Sequence, residues 1–469
     1  SQVQALGAAA TVAGRNELPV LVQRVIRAWK KTGGRIQAAD SLGNEVSGRD
    51  MLIRALILRR VLRRGILAED ETHVGVLLPP SVGGVLVNVA IALDRRVSAN
   101  LNYTVSSDVL NHCNRSIGVR HVLTSEKFME KMNFDLDAEV VKLETLRDRV
   151  TTFDKLIGFV AAVLCPTWLL TRRLGLHRIN ADDLLTVIFT SGSTGMPKGV
   201  MLSNANIAHN VDAIERAVRL NRDDTALGIL PFFHSFGYSV TLWAAMTLGP
   251  RGVYHFNPLD ARQIGKLAQK YRATVLLGTP TFLRTYLRRV QPEQFQWLDV
   301  VVVGAEKMPK DLFDAFEQRF GVRPSEGYGA TELSPLVSVN IPSSRSAAVY
   351  QPDAAEGSVG RPVPGVSAKV VGPDTGQELL AGEDGMLLIS GANVMRGYAG
   401  DDSKTADVVC DGWYRTGDIA HIDAEGFIHI TGRLSRFSKI GGEMVPHVRV
   451  EEEIAKLLAS DAQFAGDDE

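Results

Sequence analysis

The sequence predicts an α/β fold with largely parallel sheets, giving way to a smaller β-rich part toward the C-terminus. Two observations carry this. Short, apolar, β-branched runs alternate with segments of helical spacing through the middle of the chain. After about Pro352 the texture changes to short strands punctuated by glycine.

Val74–Leu78, Leu185–Phe189, Val275–Leu277 and Val300–Val303 are almost wholly apolar, as strands buried on both faces must be. Asn206–Leu220, Ala261–Lys270 and Lys310–Phe320 have the spacing of helices between them. Met386–Ser390 and Gly426–Ile430 read as strands of the β-rich part. Met51–Arg64 places arginines among apolar residues at helical spacing and reads as an amphipathic helix. Arg147–Arg173 reads similarly, with an apolar middle, then Trp168 and Arg172–Arg173. It has two readings: a core-facing helix with its arginines in water, or a helix lying at a membrane surface, with contact through 153–175. Its apolar stretch Leu156–Leu170 is broken by Pro166 and is too short to cross a bilayer, which takes about 20 apolar residues.

The 469 residues suffice for two or three compact units. Lys and Arg number 52 against 53 Asp and Glu, so there is no basic excess to neutralise phosphates and no nucleic-acid partner is expected. The three cysteines, Cys113, Cys165 and Cys410, lie far apart, which argues against a disulfide framework or zinc cluster and for a reducing cytoplasm.

Chemistry concentrates in Thr190-Ser-Gly-Ser-Thr-Gly-Met-Pro-Lys-Gly199, directly after an expected strand. Its three glycines allow close backbone approach, while four hydroxyls and Lys198 supply donors suited to phosphate oxygens. It is not a Walker A loop, because Pro197 stands where the glycine before the lysine belongs. Further motifs follow: Phe232-Phe-His-Ser-Phe-Gly237, Gly327-Tyr-Gly-Ala-Thr-Glu-Leu-Ser-Pro335, Gly391–Tyr398, Trp413-Tyr-Arg-Thr-Gly-Asp418, Gly432-Arg433 and Ser438-Lys-Ile-Gly-Gly-Glu-Met-Val445.

In content and order these motifs resemble those of the adenylate-forming superfamily of acyl-CoA synthetases, luciferases and peptide-synthetase adenylation domains. Leu277–Leu283, Val303–Lys307, Val337–Pro342 and Lys439–Val445 further resemble the acyl-carrier-protein synthetase domain of bifunctional 2-acylglycerophosphoethanolamine acyltransferases, whose acyltransferase half is not represented. The resemblance implies a large AMP-binding domain over 1–436. It would consist of two parallel-rich sheet and helix subdomains plus the β-rich subdomain at about 352–436. Residues 437–469 would begin a truncated small C-terminal domain.

It also implies ATP and Mg²⁺ as cofactors. The activity would be adenylation of a medium- or long-chain fatty acid and its transfer to the phosphopantetheine thiol of an acyl carrier protein, in phospholipid metabolism. The alternatives are a fatty acyl-CoA synthetase using coenzyme A, and a non-catalytic nucleotide or acyl sensor at the inner face of the membrane. An acidic carrier would need a basic docking patch, for which Arg59, Arg60, Arg63 and Arg64 are candidates.

By resemblance, Thr190, Ser191, Gly192, Ser193, Thr194, Gly195 and Lys198 would cradle the phosphates, with Thr331 donating as well. Glu332 would hold Mg²⁺, Tyr328 beside Gly329 would stack on adenine, and Gly304, Ala305 and Glu306 would line the base. Asp418 would bind the ribose, supported by Arg433. His234 would face the carboxylate and α-phosphate, and Phe232, Phe233, Phe236 and Trp243 would line or pack near an acyl tunnel. Arg436 takes the hinge position, where many relatives carry an acidic residue, and Lys439 matches the lysine used in the thioester step. Only 33 residues follow Arg436, and the motif supplying the adenylation lysine is absent. The preferred account, supported by the Ser1 start, is an excerpt of a longer enzyme; the other is a truncated homologue that turns over poorly.

Overall fold

The structure, a computed structural model, describes residues 20–190, 195–346, 353–434, 437–440 and 443–446. Two large sheets dominate. The first has nine strands in the order Arg361–Pro362, Leu336–Val339, Ser325–Gly329, Val300–Val303, Val275–Gly278, Thr225–Gly228, Arg251–Tyr254, Ile36–Asp40 and Glu45–Ser47. The six from Ser325–Gly329 to Ile36–Asp40 run parallel. The second has seven: Gly397–Tyr398, Lys198–Ser203, Leu184–Thr190, Val97–Asn100, His73–Val76, His121–Thr124 and Glu139–Lys142. Its last five are parallel, and the first two are antiparallel additions at one edge.

The expected strands are where the apolar runs lie, their ends within three residues. Val300–Val303 is four buried valines between parallel neighbours, which explains why its sequence does not alternate. The helices Leu21–Thr32, Val82–Leu93 and Asn204–Val218 lie between the sheets, sharing one apolar cluster with Ile188 and Leu202 of the second sheet and Val275 and Val300 of the first. Ala261–Tyr271, Pro280–Arg289 and Lys310–Phe320 cover the outer face of the nine-stranded sheet in a separate cluster. Local chemistry fixes the starts of these helices. Ser203 and Asn206 form a capping box, and Thr279 accepts the Phe282 amide with Pro280 in the first turn.

The β-rich part is an antiparallel sheet of Val366–Val371, Gly385–Gly391, Trp413–Ile422 and Val409–Cys410, with Ile428–Arg433 also paired to Trp413–Ile422. A separate antiparallel pair joins Phe437–Ile440 to Glu443–Pro446. Arg147–Arg173 is not one continuous helix: Thr152–Val163 and Thr167–Arg173 are separated at Pro166, which cannot continue the first. Among the described residues no helix is long and apolar enough to cross a membrane, and the three cysteines are free.

Candidate active site

A cleft of about 1050 Å³ opens where the parallel strands of both sheets end at their carboxyl termini. Thr279, Gly304 and Phe256 follow strands of the nine-stranded sheet, and Pro79, Tyr103 and Ser125 follow strands of the seven-stranded sheet. This is where an α/β fold gathers loops and leaves backbone groups free for a ligand. His234, Gly304, Ala305, Tyr328, Gly329 and Thr331, all singled out in the sequence, line this one cleft.

Tyr328 and Thr331 come from a tight antiparallel excursion, Ser325–Gly329 returning as Leu336–Val339. A Cβ on Gly329 would stand 2.1 Å from the Pro335 carbonyl oxygen, so only glycine lets the two strands approach this closely. Thr331 Oγ1 lies 3.2 Å from the hydroxyl of Ser235, which brings the two loops together. The Tyr328 hydroxyl donates to Asp418 Oδ2 at 2.5 Å, and Arg433 Nε donates to Asp418 Oδ1 at 3.0 Å. Burial raises the Asp418 pKa above the ordinary aspartate value, against the opposing pull of Tyr328 and Arg433. Burial, reinforced by the Asp418 charge, raises the Tyr328 phenol further, so it stays a donor.

Glu332 stands beside the cleft, its Oε1 accepting from the Tyr398 hydroxyl at 2.9 Å. The Lys198 ammonium lies 5.0 Å from the centre of the same tyrosine ring. Tyr398 belongs to the edge strand paired with Lys198–Ser203, and Thr190 is in register with Lys198, so the ends of the glycine-rich loop are held side by side. Gly195 is exposed, with φ +156°. Among the described residues no three His, Cys, Asp or Glu side chains converge as a metal cage. A lone carboxylate is what Mg²⁺ asks of a protein when phosphates and water supply its other ligands, so Glu332 fits that ion.

His234 opens its ring onto the cleft, and desolvation by the surrounding protein lowers its pKa, favouring the neutral imidazole. Ala305 adopts a left-handed conformation, φ +69°, while Glu306 turns outward to accept from Thr281 Oγ1 at 2.9 Å. Only the Gly304 and Ala305 part of that expected base-lining segment reaches the cleft. Phe233 and Phe236 line it, whereas Phe232 and Trp243 are buried core residues. Ser191, Gly192, Ser193, Thr194, Arg436 and the side chain of Lys439 lie outside the described residues.

Sequence reading gave no role to Tyr398 or Ser235, although both stand inside motifs that it quoted. It also missed the aromatic lining, where Tyr103, Phe128, Phe256 and Phe282 join Phe233 to make the cleft mostly apolar, with Lys127 and Lys131 among them. The arginines named as a docking patch are engaged: Arg59 with Asp94 at 3.2 Å, Arg60 and Arg64 with Asp154 at 2.6 and 2.9 Å, and Arg63 with Asp94 at 3.8 Å.

The AMP-binding enzyme family matches residues 25–399, a span that contains both the cleft and the glycine-rich loop. The chain belongs to this family. As an AMP-binding family member it is 31% identical to a feruloyl-CoA synthase of an Amycolatopsis species over 280 residues, 59% of this chain and 55% of that protein. It is 30% identical to a long-chain-fatty-acid–CoA ligase of Bacillus subtilis over 314 residues, 64% of this chain and 53% of that one. The chain thus spans about half the length of these curated relatives. The ATP-bound structure of MatB from Rhodopseudomonas palustris superposes with a TM-score of 0.76 at 25% identity, covering 94% of this chain and 83% of that one. The o-succinylbenzoate CoA synthetase (MenE) of Bacillus subtilis, in complex with its acyl-adenylate, shares the fold with a TM-score of 0.76 at 20% identity, over 94% of this chain and 83% of that one.

Proposed function

We propose that the chain is the adenylating part of an acid–thiol ligase that activates a medium- or long-chain fatty acid with ATP and passes it to coenzyme A. The observation that carries this is the convergence of His234, Tyr328, Thr331 and, through Tyr328, Asp418 on a cleft whose lining is largely aromatic and apolar.

A carboxylate resists attack because its charge repels nucleophiles and oxide is a poor leaving group. Its oxygen bonds to the α-phosphorus of ATP as the bond from that phosphorus to the bridging oxygen breaks, releasing pyrophosphate. The thiol sulfur, having given up its proton, then bonds to the acyl carbon as the carbon–oxygen bond to AMP breaks. Catalysis of the first step is largely the positioning of two anions and the stabilisation of charge on phosphorus. Neutral His234 can donate to the carboxylate or an α-phosphate oxygen, as can Thr331. Tyr328 presents its ring to adenine, and Asp418 accepts from ribose hydroxyls. Glu332 would hold Mg²⁺, which neutralises phosphate charge when bound.

Coenzyme A replaces carrier protein as the preferred acceptor. The relatives are named as CoA ligases, and the arginines that would have met an acidic carrier are already paired. The apolar wall favours an alkyl chain over a small diacid, with an aryl acid as the closest competitor.

The test offers the chain ATP, Mg²⁺ and, in parallel, palmitate, coumarate and malonate, with and without coenzyme A, and reads acyl-AMP and acyl-CoA by mass spectrometry. Palmitoyl-AMP, formed slowly because the motif supplying the adenylation lysine is absent from this sequence, and converted to the thioester when coenzyme A is present, is expected. A folded chain that adenylates none of the acids, or that prefers coumarate or malonate, overturns the reading.

A further inference from the structure

The helix Thr152–Val163 is mounted with its bulky apolar residues facing water and its small ones facing the protein. On the inner side Asp154 is wholly buried between Arg60 and Arg64. Gly158 lies so close to the helix Gly48–Gly65 that a Cβ would stand 2.6 Å from Cγ1 of Ile57. Ala162 and Cys165 continue that buried line at helical spacing. Outward stand Phe153, Leu156, Phe159, Val160 and Val163, then Leu164 and Trp168, the last two each 68% exposed. Among the described residues only six other large apolar side chains are comparably exposed, scattered from Leu42 to Leu380, so this strip is not the usual background of surface hydrophobics.

Charge says what covers the strip. Between residues 149 and 181 Asp154 is the sole acid, and it is neutralised beneath the helix, while Arg149, Lys155, Arg172, Arg173 and Arg178 are exposed. A second copy docking through the same strip would bring these cations against their own counterparts. An anionic lipid surface instead meets both features: apolar side chains enter the boundary of the acyl chains, Trp168 sits at headgroup depth and the cations meet lipid phosphates. The 12-residue helix is about 18 Å long, which suits lying in the plane rather than crossing.

We propose that residues 152–173 form a membrane-docking face that inserts into the interfacial layer of a bilayer containing anionic phospholipid. The proposal is independent of the catalytic reading.

The experiment floats the full chain with vesicles of phosphatidylcholine alone or mixed with phosphatidylglycerol. Flotation is expected with the mixed vesicles and is expected to weaken in raised salt. The double variant Leu164→Gln/Trp168→Gln should lose about tenfold or more in binding, with melting temperature and nucleotide binding unchanged. Arg172→Gln/Arg173→Gln should weaken binding to the mixed vesicles alone. No flotation, or flotation indifferent to both double variants, overturns the proposal. A lipid-free dimer, seen by sedimentation velocity and abolished by Leu164→Gln/Trp168→Gln, overturns it as well, because the strip then belongs to a second copy.

Discussion

The hydroxyl of Tyr328 reaches across from the nine-stranded sheet to donate to Asp418 of the β-rich sheet at 2.5 Å, with Arg433 donating to the other oxygen of the same carboxylate. One buried carboxylate therefore fixes the tyrosine ring at the cleft and ties two sheets together. Asp418→Ala should leave the Tyr328 hydroxyl without its partner and cost about 1–3 kcal/mol, measured by denaturant unfolding. It should also weaken AMP binding about tenfold or more, measured by titration calorimetry. Asp418→Ala with nucleotide affinity intact would separate Asp418 from the site.

Glu332 and Tyr398 form a second such pair, at 2.9 Å. Tyr398→Phe removes the donor and keeps the ring beside Lys198, so adenylate formation should fall about tenfold to a hundredfold, as when a group orienting a ligand is lost. Glu332→Gln should cost more than Tyr398→Phe and should raise the Mg²⁺ concentration needed for half-maximal rate. Equal rates for Tyr398→Phe and the parent would show that the hydroxyl does not orient Glu332.

Gly329→Ala tests why the residue before Ala330 and Thr331 must lack a side chain. The obstacle is the Pro335 carbonyl at 2.1 Å, a backbone atom that cannot swing away. The strands must separate, costing about 1–3 kcal/mol and moving Thr331 away from Ser235. Denaturant unfolding and the Michaelis constant for ATP should both respond. A variant as stable and as active as the parent would contradict this account of the close approach.

Asp154 gives a pH signature. Burial alone would raise its pKa, but the amide and hydroxyl of Thr151 together with Arg60 and Arg64 outweigh that and hold it well below the ordinary 3.8. Its folded value is depressed, so its contribution is full above about pH 3.8 and is lost as pH falls through the folded value. Asp154→Asn should therefore destabilise the chain at neutral pH by about 2–3 kcal/mol, below the range for a fully buried pair because Arg60 and Arg64 are part-exposed. The gap between Asp154→Asn and parent should narrow below pH 3.8; a gap that is constant with pH would refute the clamp.

Much of this was readable from local pattern. Val300–Val303 and Lys310–Phe320 stand at the boundaries expected of them, because an all-valine run and a helix opening after Pro309 each carry their own signal. His234, Tyr328 and Thr331 were found through their motifs, and all three line one cleft. Pairings between distant segments were not readable: nothing near Tyr398 announces that its strand lies against Lys198–Ser203, or that its hydroxyl meets Glu332. Exposure was also hidden. The sequence shows Phe153 and Leu156 as apolar but not that Gly158 and Asp154 take the inward side.

The mounting of Thr152–Val163 on a glycine, an alanine and one clamped carboxylate has a consequence for how such a protein can change. Because its grip on the body draws on only one of the large residues on its outer side, Phe153, whose ring lies 5.4 Å from the Arg60 guanidinium, the rest of that side can be rewritten with little disturbance to the layers beneath. Where the molecule resides and what it does in the cleft can then diverge separately, each under its own selection.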